Sequence, residues 1–434
     1  MSGAQAWRNW GRSVKATPRF VVRARTVEEV QAAVRFARER DLPVKAVGAG
    51  HSFSPIAATN GVQIELRSLD GLLAADGSLV TLGAGTNLYQ LPALLAPLGL
   101  AMENLGDIDR QTIAGATSTG THGTGLRFGG LATRIRAARL VTADGGVLRV
   151  APDEHAELLP AVALGLGALG ILVDVTIECV PAFALHAVER KERLDTVLAE
   201  WAERTASSDH FEFYTWPHTA WTLTKSNTRL PAGAATRPLG RARSWFEDRF
   251  MANTFYAQLL RLGSAIPPLV PAINRAAAAL ASSREFSDDA HAVFTSPRAF
   301  RFREMEYALP IEAVPEAVRA VHALVARKGW RISMPIEVRS AAADELWLST
   351  AHGRPTGYVA LHRVATERIG DYFAEAERIF TALGGRPHWG KIHTRDAASL
   401  APAYPRFADF LAVRDRLDPD RVFANGHLRR VLGA

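Results

Sequence analysis

A stretch of small and hydroxyl-bearing residues in the first third of the chain sets the strongest limit on what it can fold into. From residue 104 this stretch reads NLGDIDRQTIAGATSTGTHGTG. Such residues cannot fill a hydrophobic core, and glycine lets a backbone approach another group closely. We therefore predict a loop without helical structure over residues 115–130. A long ligand lying along this loop would explain its composition, and a glycine-rich surface connection is the alternative.

Length and composition are those of a folded globular protein. The chain has 434 residues, of which 48% are hydrophobic and 22% are charged, so disordered and fibrous classes are excluded. At about 150 residues per domain, two or three domains are expected. Cys179 is the only cysteine in the sequence, which excludes an internal disulfide and paired-cysteine zinc sites. We predict no metal site.

The net charge is +7, from 51 basic and 44 acidic residues. This excess would attract an anionic ligand, nucleic acid or a membrane surface, but the arginines are scattered and no basic run with interleaved aromatics is present, so we expect no nucleic-acid partner. The N-terminus lacks the apolar core of an export signal. The longest apolar stretch, residues 158–173, is shorter than the roughly 20 residues of a spanning helix. We expect a cytoplasmic protein without a transmembrane segment, and loose membrane association stays open.

The order of the predicted elements indicates an α+β protein. It opens with a strand, a helix and a strand over residues 20–22, 26–39 and 42–47, and Thr26 is the predicted N-cap of the helix. The pattern of predicted elements changes near residue 180. Beyond that point we predict a helix over residues 188–204 and strands that include residues 211–215, 332–338, 346–350 and 358–364.

The second predicted strand runs into a glycine turn of sequence GAG, residues 48–50, which is followed by His51 and Ser52. Successive free backbone N–H groups in such a turn bind anions, and a pyrophosphate would fit there. The turn is not a complete dinucleotide fingerprint, because Phe53 stands where the third glycine belongs. A plain strand-to-turn connection with a structural histidine is the alternative.

Two further sequence patterns bring reactive side chains close together. Glu337 and Arg339 alternate along a predicted strand and therefore point to the same face; an ordinary surface ion pair is the alternative to a catalytic pair. Lys391 is one of six lysines and lies in the segment RPHWGKIH, residues 386–393. That density of functional groups is unusual for a structural loop.

In this order the motifs resemble the aldonolactone oxidase and alditol oxidase group of the vanillyl-alcohol-oxidase-type flavoproteins. The resemblance is carried by GAGHS, GDIDRQTIAGATSTGTHGTG, the Glu-x-Arg pair, HWGK and FANGHL, and it extends from Phe20 to the end of the chain. It implies a PCMH-type FAD-binding domain of two subdomains over residues 1–180. An α+β cap domain with an antiparallel sheet would follow over residues 181–404, and the segment 405–434 would return to the FAD domain.

The resemblance also implies a site for FAD. His51 would be joined covalently to the flavin 8α-methyl carbon, which would hold the cofactor and raise its reduction potential. The pyrophosphate would lie over residues 46–52, and later segments would surround the ring and the ribityl chain. The implied contacts besides His51 are Ala46, Val47, Gly48, Ala49, Gly50, Ser52, Gly106, Asp107, Thr112, Gly115, Ala116, Thr119, Gly120, Thr121, His122, Gly170, Ile171, Val175 and Lys391.

The implied reaction is oxidation of a hydroxyl of an aldonolactone, a sugar alcohol or a related sugar derivative by hydride transfer to flavin N5. Glu337 would bind the substrate hydroxyl and accept its proton, Arg339 would polarise the substrate oxygen, and Lys391 would stabilise charge at the flavin N1–C2 edge. His362 and His393 are further candidates for the substrate pocket. The electrons would pass to oxygen, giving hydrogen peroxide, or to a quinone, a cytochrome or a dye.

Two positions bear on the acceptor and the substrate. Gly106 is small where it would face the flavin, which in this group accompanies the use of oxygen, so we expect an oxidase. Asp107 places a carboxylate where related alditol oxidases carry a smaller hydroxyl residue, which argues against a simple open-chain polyol. Two other classes stay open: a nicotinamide-dependent dehydrogenase, and a basic non-catalytic protein that binds anions or nucleic acid.

Overall fold

A computed structural model describes residues 6–434 apart from residues 282, 297 and 299. Its buried apolar side chains form two main cores. One core joins the sheets of the first 180 residues to the C-terminal helices. The other lies behind an eight-stranded sheet in the second half of the chain. Helices and antiparallel strands occur in both parts, as expected for an α+β protein.

The first sheet is parallel and has the strand order Phe20–Arg23, Val62–Glu65 and Val44–Val47. The helix Val27–Arg38 follows the first of these strands and buries one apolar face, formed by Val30, Ala33, Val34 and Ala37. Thr26 Oγ1 accepts a hydrogen bond from Glu29 N at 3.3 Å, so the predicted N-cap is confirmed. The predicted β-α-β opening is therefore present.

The second sheet of this core is antiparallel, with the strand order Val147–Val150, Ile135–Val141, Ile171–Glu178, Leu79–Gly83 and Leu72–Asp76. A short helix, Ile113–Ser118, packs against it. The prediction of an uninterrupted loop over residues 115–130 is therefore wrong at its start. Thr112 caps this helix by accepting a hydrogen bond from Gly115 N, and its small side chains let it pack closely without a long apolar face.

The second half of the chain is built on an eight-stranded antiparallel sheet. Its strand order is Arg284–Asp289, Ala184–Arg193, Trp221–Arg229, His210–Thr215, Ile336–Ala341, Thr356–Val364, Phe302–Pro310 and Arg386–Pro387. One face is apolar and packs on the helices Leu194–Ala199, Trp201–Ser207, Val314–Lys328 and Tyr372–Ala382. The other face is polar and meets the glycine-rich loop, where Gly125 N donates to Ser340 O at 2.9 Å.

The predicted helix over residues 188–204 is wrong in its first part. Residues up to 193 belong to the strand Ala184–Arg193, which pairs with a neighbouring strand on each side. The local sequence favours a helix, but two strand partners outweigh that propensity. Helical structure begins at Leu194.

The predicted strand over residues 346–350 is also wrong, because this segment forms turns. Asp344 holds it by accepting hydrogen bonds from Leu346 N at 2.9 Å and from Ser349 Oγ at 2.6 Å. Trp347 and Leu348 then reach into the first core. The apolar run that suggests a strand thus serves to join the two parts of the molecule.

The remaining helices are Leu91–Leu95, Leu159–Val162, Arg241–Ser244, Trp245–Phe255, Tyr256–Ala265, Val270–Leu280, Ala290–Phe294, Ala397–Leu400, Phe407–Leu417 and Gly426–Leu432. Two short ladders pair Trp7–Arg8 with Lys15–Ala16 and Leu100–Ala101 with Val180–Pro181. The C-terminal helices place Phe410, Leu428 and Val431 in the first core. The domain limits at residues 180 and 404 remain predictions.

Candidate active site

A small cavity of about 120 Å³ lies where the strand Val44–Val47 ends. Its wall comes mainly from three segments, residues 44–57, 111–119 and 162–172, in which glycine, alanine and serine are frequent. Among the described residues that line it, Lys45 and His51 are the only titratable side chains, and none is a carboxylate. Backbone atoms therefore form much of the wall, and no carboxylate of these residues would repel an anion there.

The backbone N–H groups of residues 48–52 are available to a ligand, because none of them donates a hydrogen bond within the described part of the chain. Gly50 has a φ of 69°, which favours glycine. A Cβ at Gly48 would lie 2.2 Å from Thr112 Oγ1, so a larger residue does not fit there. Unpaired N–H donors in a turn without nearby carboxylates suit a pyrophosphate, and in this respect the residues present fit FAD.

His51 lies where the small cavity meets a larger one. Both cavities are lined by His51, Ser52, Gln111 and Thr119. The His51 ring stacks on Trp10 with the ring centroids 5.2 Å apart. Burial and, to a smaller extent, the charge of Lys391 lower the pKa of His51 to about 4. The imidazole is therefore neutral at neutral pH and keeps a nitrogen lone pair.

The larger cavity has a volume of about 620 Å³ and lies between the glycine-rich loop and the polar face of the eight-stranded sheet. Since side chains alternate along a strand, every second residue faces the cavity. The sheet register makes Glu304 a neighbour of His362 and Tyr214 a neighbour of Glu337. The acidic and basic residues that line the cavity are Asp107, Glu189, Lys225, Glu247, Asp248, Arg284, Arg298, Glu304, Glu306, Glu337, Arg339 and Lys391.

Glu337 and Arg339 form a buried ion pair on this face. Arg339 Nε is 3.1 Å from Glu337 Oε1, and the Tyr214 hydroxyl donates to the same oxygen at 3.0 Å. Burial opposes the charged form of Arg339, but Glu337 and Glu306 outweigh it and raise the pKa of Arg339 well above its usual value. Burial, reinforced by Glu212, raises the pKa of Tyr214, so its hydroxyl stays protonated. Glu337 Oε2 is the oxygen left to accept from a ligand.

A second group of charges centres on Glu306. Its Oε1 is 3.3 Å from Arg339 Nη2 and 3.3 Å from His122 Nε2. Burial opposes ionisation of Glu306, but His122, Lys391 and Arg339 outweigh it and hold the pKa of Glu306 well below its usual value. Lys391 Nζ lies 3.8 Å from Glu306 Oε2 and 2.6 Å from Glu304 Oε2. These two carboxylates therefore fix the positions of Arg339 and Lys391.

His362 stands beside the Glu337 carboxylate. Its Nδ1 is 2.9 Å from the carbonyl oxygen of Pro335, and because a carbonyl only accepts, Nδ1 carries the proton. Its Nε2 is 3.8 Å from Glu337 Oε2 and 3.7 Å from Glu304 Oε1. With the proton on Nδ1, the Nε2 lone pair of His362 can accept a hydrogen bond from a ligand.

Two triads in this cavity also bring metal-ligand types together. The possible ligand atoms lie within 4.8 Å of one another in His122, Glu306 and His388, and in Glu304, Glu337 and His362. Every carboxylate of the two triads is paired with Arg339 or Lys391. Ion pairing accounts for these clusters, and we assign no metal to them.

Asp107 lines the large cavity, but its carboxylate is already engaged. Ser296 Oγ donates to Oδ1 at 2.5 Å, and Arg298 forms an ion pair with Oδ2. Burial would raise the pKa of Asp107, but Arg298, Lys225 and the Ser296 hydroxyl together outweigh burial and lower it. Asp107 therefore ties the glycine-rich loop to the second half of the chain. The neighbouring Gly106 lies close to the backbone, since a Cβ there would be 3.0 Å from His122 O.

Most of the predicted site residues surround the two cavities. Those at the small cavity are Ala46, Gly48, Ala49, Gly50, His51, Ser52, Thr112, Gly115, Thr119, Gly170 and Ile171. Those at the large cavity are His51, Ser52, Gly106, Asp107, Thr119, Thr121, His122, Glu337, Arg339, His362 and Lys391. Neither cavity is lined by Val47, Ala116, Gly120 or Val175. His393 lines neither cavity as well, and its ring lies 5.9 Å from that of His427.

Several residues of this site are absent from the predictions. Glu304 and Glu306 alternate on the strand Phe302–Pro310 in the same way as Glu337 and Arg339, so the alternation of charge with apolar residues could have revealed them. Tyr214 carries no such signal. It reaches Glu337 only because two strands distant in sequence are paired.

Known families and relatives match the chain over nearly its whole length. The family model described as D-arabinono-1,4-lactone oxidase matches residues 175–431, and the FAD binding domain model matches residues 18–151. L-gulono-1,4-lactone dehydrogenase of Mycobacterium tuberculosis is 42% identical over 98% of this chain and 99% of its own. L-gulonolactone oxidase of Scyliorhinus torazame is 32% identical over 97% of each chain. Alditol oxidase of a Streptomyces species is 30% identical over 98% of each chain.

Solved structures of cholesterol oxidases share the fold. The enzyme from B. sterolicum superimposes with a TM-score of 0.82 at 17% identity and covers 99% of this chain and 97% of its own. A solvent-stable cholesterol oxidase gives a TM-score of 0.84 at 19% identity, with 99% and 98% covered. The expected PCMH-type α+β fold is confirmed. The nicotinamide-dependent and nucleic-acid-binding alternatives gain no support from these matches.

The match to the FAD binding domain model agrees with the free N–H groups and the carboxylate-free wall of the small cavity. In the part of the chain that the structure describes, no helix has both the length and the apolar composition needed to cross a bilayer. The match to the D-arabinono-1,4-lactone oxidase model covers more than half of the chain, and the relatives cover nearly all of it. The chain therefore belongs to the D-arabinono-1,4-lactone oxidase family and is an FAD-dependent oxidoreductase.

Proposed function

We propose that this chain oxidises a hydroxyl-bearing carbon of a sugar lactone, a sugar alcohol or a related sugar derivative. The observation that carries the proposal is the junction of the two cavities at His51, with an anion site on one side and a charged catalytic face on the other. The names of the relatives, a gulonolactone dehydrogenase, a gulonolactone oxidase and an alditol oxidase, support this substrate class.

The N–H groups of residues 48–52 would hold the pyrophosphate of FAD, and the small residues around the junction would surround its ring. When bound, FAD supplies the acceptor for a hydride. His51 would be bonded to the 8α-methyl carbon of the flavin. Its neutral imidazole and its place at the junction support this bond.

Glu337 and Arg339 would act on the substrate hydroxyl. Glu337 Oε2 would accept its hydrogen bond, and the N–H groups of Arg339 that have no protein partner would donate to the substrate oxygen. Glu337 would also accept the released proton, and His362, whose Nε2 lies 3.8 Å from Glu337 Oε2 and 3.7 Å from Glu304 Oε1, would contact the substrate. Lys391, held by Glu304, would stabilise negative charge at the N1–C2 edge of the flavin.

The charges of the large cavity favour a neutral substrate. Its wall carries seven carboxylates and five Lys or Arg side chains. The excess of negative charge disfavours a substrate that brings a carboxylate of its own. A lactone or an alditol should therefore react in preference to the open-chain aldonate of the same sugar.

Oxygen is the acceptor that we propose, with hydrogen peroxide as its product, because Gly106 lines the large cavity without a side chain that would obstruct access there. A quinone, a cytochrome or a dye is the alternative acceptor. We also propose a cytoplasmic location.

An anaerobic spectrum tests the proposed function. The purified protein is mixed without oxygen with L-gulono-1,4-lactone, with the corresponding alditol and with the corresponding aldonate. We expect a flavin absorbance band that the lactone or the alditol bleaches and the aldonate leaves unchanged. A protein without a flavin band after reconstitution with FAD, or bleaching by the aldonate alone, would contradict the proposal.

A further inference from the structure

Three aromatic side chains and a leucine form an exposed patch that we call the aromatic rim: Trp245, Phe246, Phe250 and Leu280. Their exposed fractions are 57%, 51%, 38% and 54%. The Phe250 ring centroid lies 6.1 Å from that of Trp245 and 5.7 Å from that of Phe246. Large apolar side chains that are both exposed and clustered mark an interaction surface.

The aromatic rim lies at an opening of the large cavity. Phe246 and Leu280 line that cavity and are also exposed, and Met251 lines it close by in sequence. The cavity therefore reaches the surface at the rim. Whatever covers the rim lies beside a route into the cavity.

The segment that carries the three aromatic residues of the rim has a positive excess, because residues 241–261 contain four arginines against Glu247 and Asp248. Arg241, Arg249 and Arg261 are exposed, and none of them has an acidic partner among the described residues. Asp248 is paired with Arg284 at 2.6 Å. The sequence then contains no further acidic residue until Glu285.

These features favour a lipid surface over a second copy of this chain as the partner of the aromatic rim. Tryptophan and phenylalanine partition into the boundary between headgroups and acyl chains, and arginine is attracted to anionic headgroups. A second copy of this chain would bring the same positive charges together, which opposes association. A lipid surface matches both the apolar side chains and the sign of the charge around them.

We propose that the aromatic rim docks on the surface of an anionic lipid bilayer. The rim side chains enter the interfacial layer without crossing it, and Arg241, Arg249 and Arg261 contact lipid phosphates. The opening of the large cavity then faces the bilayer. A molecule dissolved in the lipid reaches the cavity without passing through bulk water.

Co-sedimentation of the holoprotein with vesicles tests this proposal. We expect binding to vesicles of phosphatidylcholine and phosphatidylglycerol that salt weakens, and much less binding to phosphatidylcholine alone. The variant Trp245→Ser/Phe250→Ser should bind about tenfold or more weakly. Neither residue lines a cavity, so its activity with a soluble dye should stay unchanged. The matched control Leu73→Ser/Tyr89→Ser alters two exposed apolar residues of the first domain and should bind like wild type.

A charge variant separates the two parts of the interaction. Arg241→Gln/Arg249→Gln should lose the preference for phosphatidylglycerol and keep the weak binding to phosphatidylcholine. Wild type that sediments equally with and without vesicles would overturn the proposal, as would equal losses in the rim variant and its control. A rim variant that changes oligomeric state by light scattering, with vesicle binding unchanged, would assign the rim to a second copy instead.

Discussion

The two cavities that meet at His51 are built in opposite ways. The small cavity offers backbone N–H groups from consecutive residues and small side chains around them. The large cavity offers charged side chains from strands that are far apart in sequence. Backbone donors suit a cofactor that stays bound during the whole catalytic cycle. The reaction itself needs charged side chains placed at the atoms where charge develops. Cofactor affinity should therefore depend on space in the first cavity, and rate should depend on charge in the second.

Removing a charge from the large cavity should have the largest effect. Arg339→Ala should slow flavin reduction by about 10²–10³-fold, the effect of losing one donor to a developing charge, and the flavin should remain bound. Anaerobic stopped-flow absorbance measures both. The control Arg363→Ala removes an arginine of the neighbouring strand. The Arg363 side chain donates a hydrogen bond to the carbonyl oxygen of Arg331 and does not line the large cavity. The flavin of the Arg363→Ala variant should be reduced at nearly the wild-type rate. Equal rates for the two variants would show that the Arg339 charge does not control flavin reduction.

A larger side chain that fills space in the small cavity should weaken the binding of FAD rather than slow the reaction. Gly48→Ala brings a Cβ to 2.2 Å from Thr112 Oγ1. An overpacking cost of about 1–3 kcal/mol, taken up by displacement of the turn, corresponds to about 5–150-fold weaker binding of FAD. Fluorescence titration of the apoprotein with FAD measures it, in a His51→Ala background that prevents covalent attachment. Gly426→Ala is the control, because no atom lies within 4 Å of its added Cβ. A Gly48→Ala variant that binds FAD normally would show that the turn does not hold the cofactor.

Acid should destabilise both regions, because burial lowers the pKa of seven described histidines. The pKa falls to about 4 for His51, His210 and His322 and to about 3 for His388 and His427, and it is also lowered for His218 and His393. Below pH 6.5 the unfolded chain takes up protons that the folded chain does not, so stability falls as the pH drops from about 6.5 to about 4. Each histidine contributes up to about 1.4 kcal/mol per pH unit in that window.

Urea unfolding of the holoprotein at several pH values measures this slope. The variant His322→Gln, at a position outside both cavities, should remove about a seventh of this slope if the seven histidines contribute equally. A free energy of unfolding that is constant from pH 6.5 to pH 4.5 would contradict the neutral state of the buried histidines.

The smallest predicted effect concerns Gly106, which lines the large cavity. Gly106→Ala should slow reoxidation of the flavin by oxygen severalfold and leave reoxidation by a dye nearly unchanged, since its Cβ narrows the space next to His122 O. Stopped-flow mixing of reduced protein with each acceptor measures the two rates. Equal losses with oxygen and dye would reject a role for Gly106 in oxygen access.

The same contrast explains what could be predicted from the sequence. The small cavity depends on residues 48–52, which are consecutive, so their chemistry is visible in one motif. Glu337 and Arg339 are visible because they alternate along one strand. Tyr214 and Arg298 are not, because strand pairing and a loop contact across the molecule bring them to the site. The strand Ala184–Arg193 escaped prediction for a related reason, since its conformation is set by two partners distant in sequence.

We propose that one flavin spans both cavities with its ring at His51. Acid precipitation of the purified protein, with flavin fluorescence measured in the pellet and the supernatant, distinguishes a covalently attached flavin from a dissociable one. We expect fluorescence to stay in the wild-type pellet, to map to the peptide that contains His51, and to move to the supernatant in His51→Ala. Flavin released from wild type, or bound to a different peptide, would contradict it.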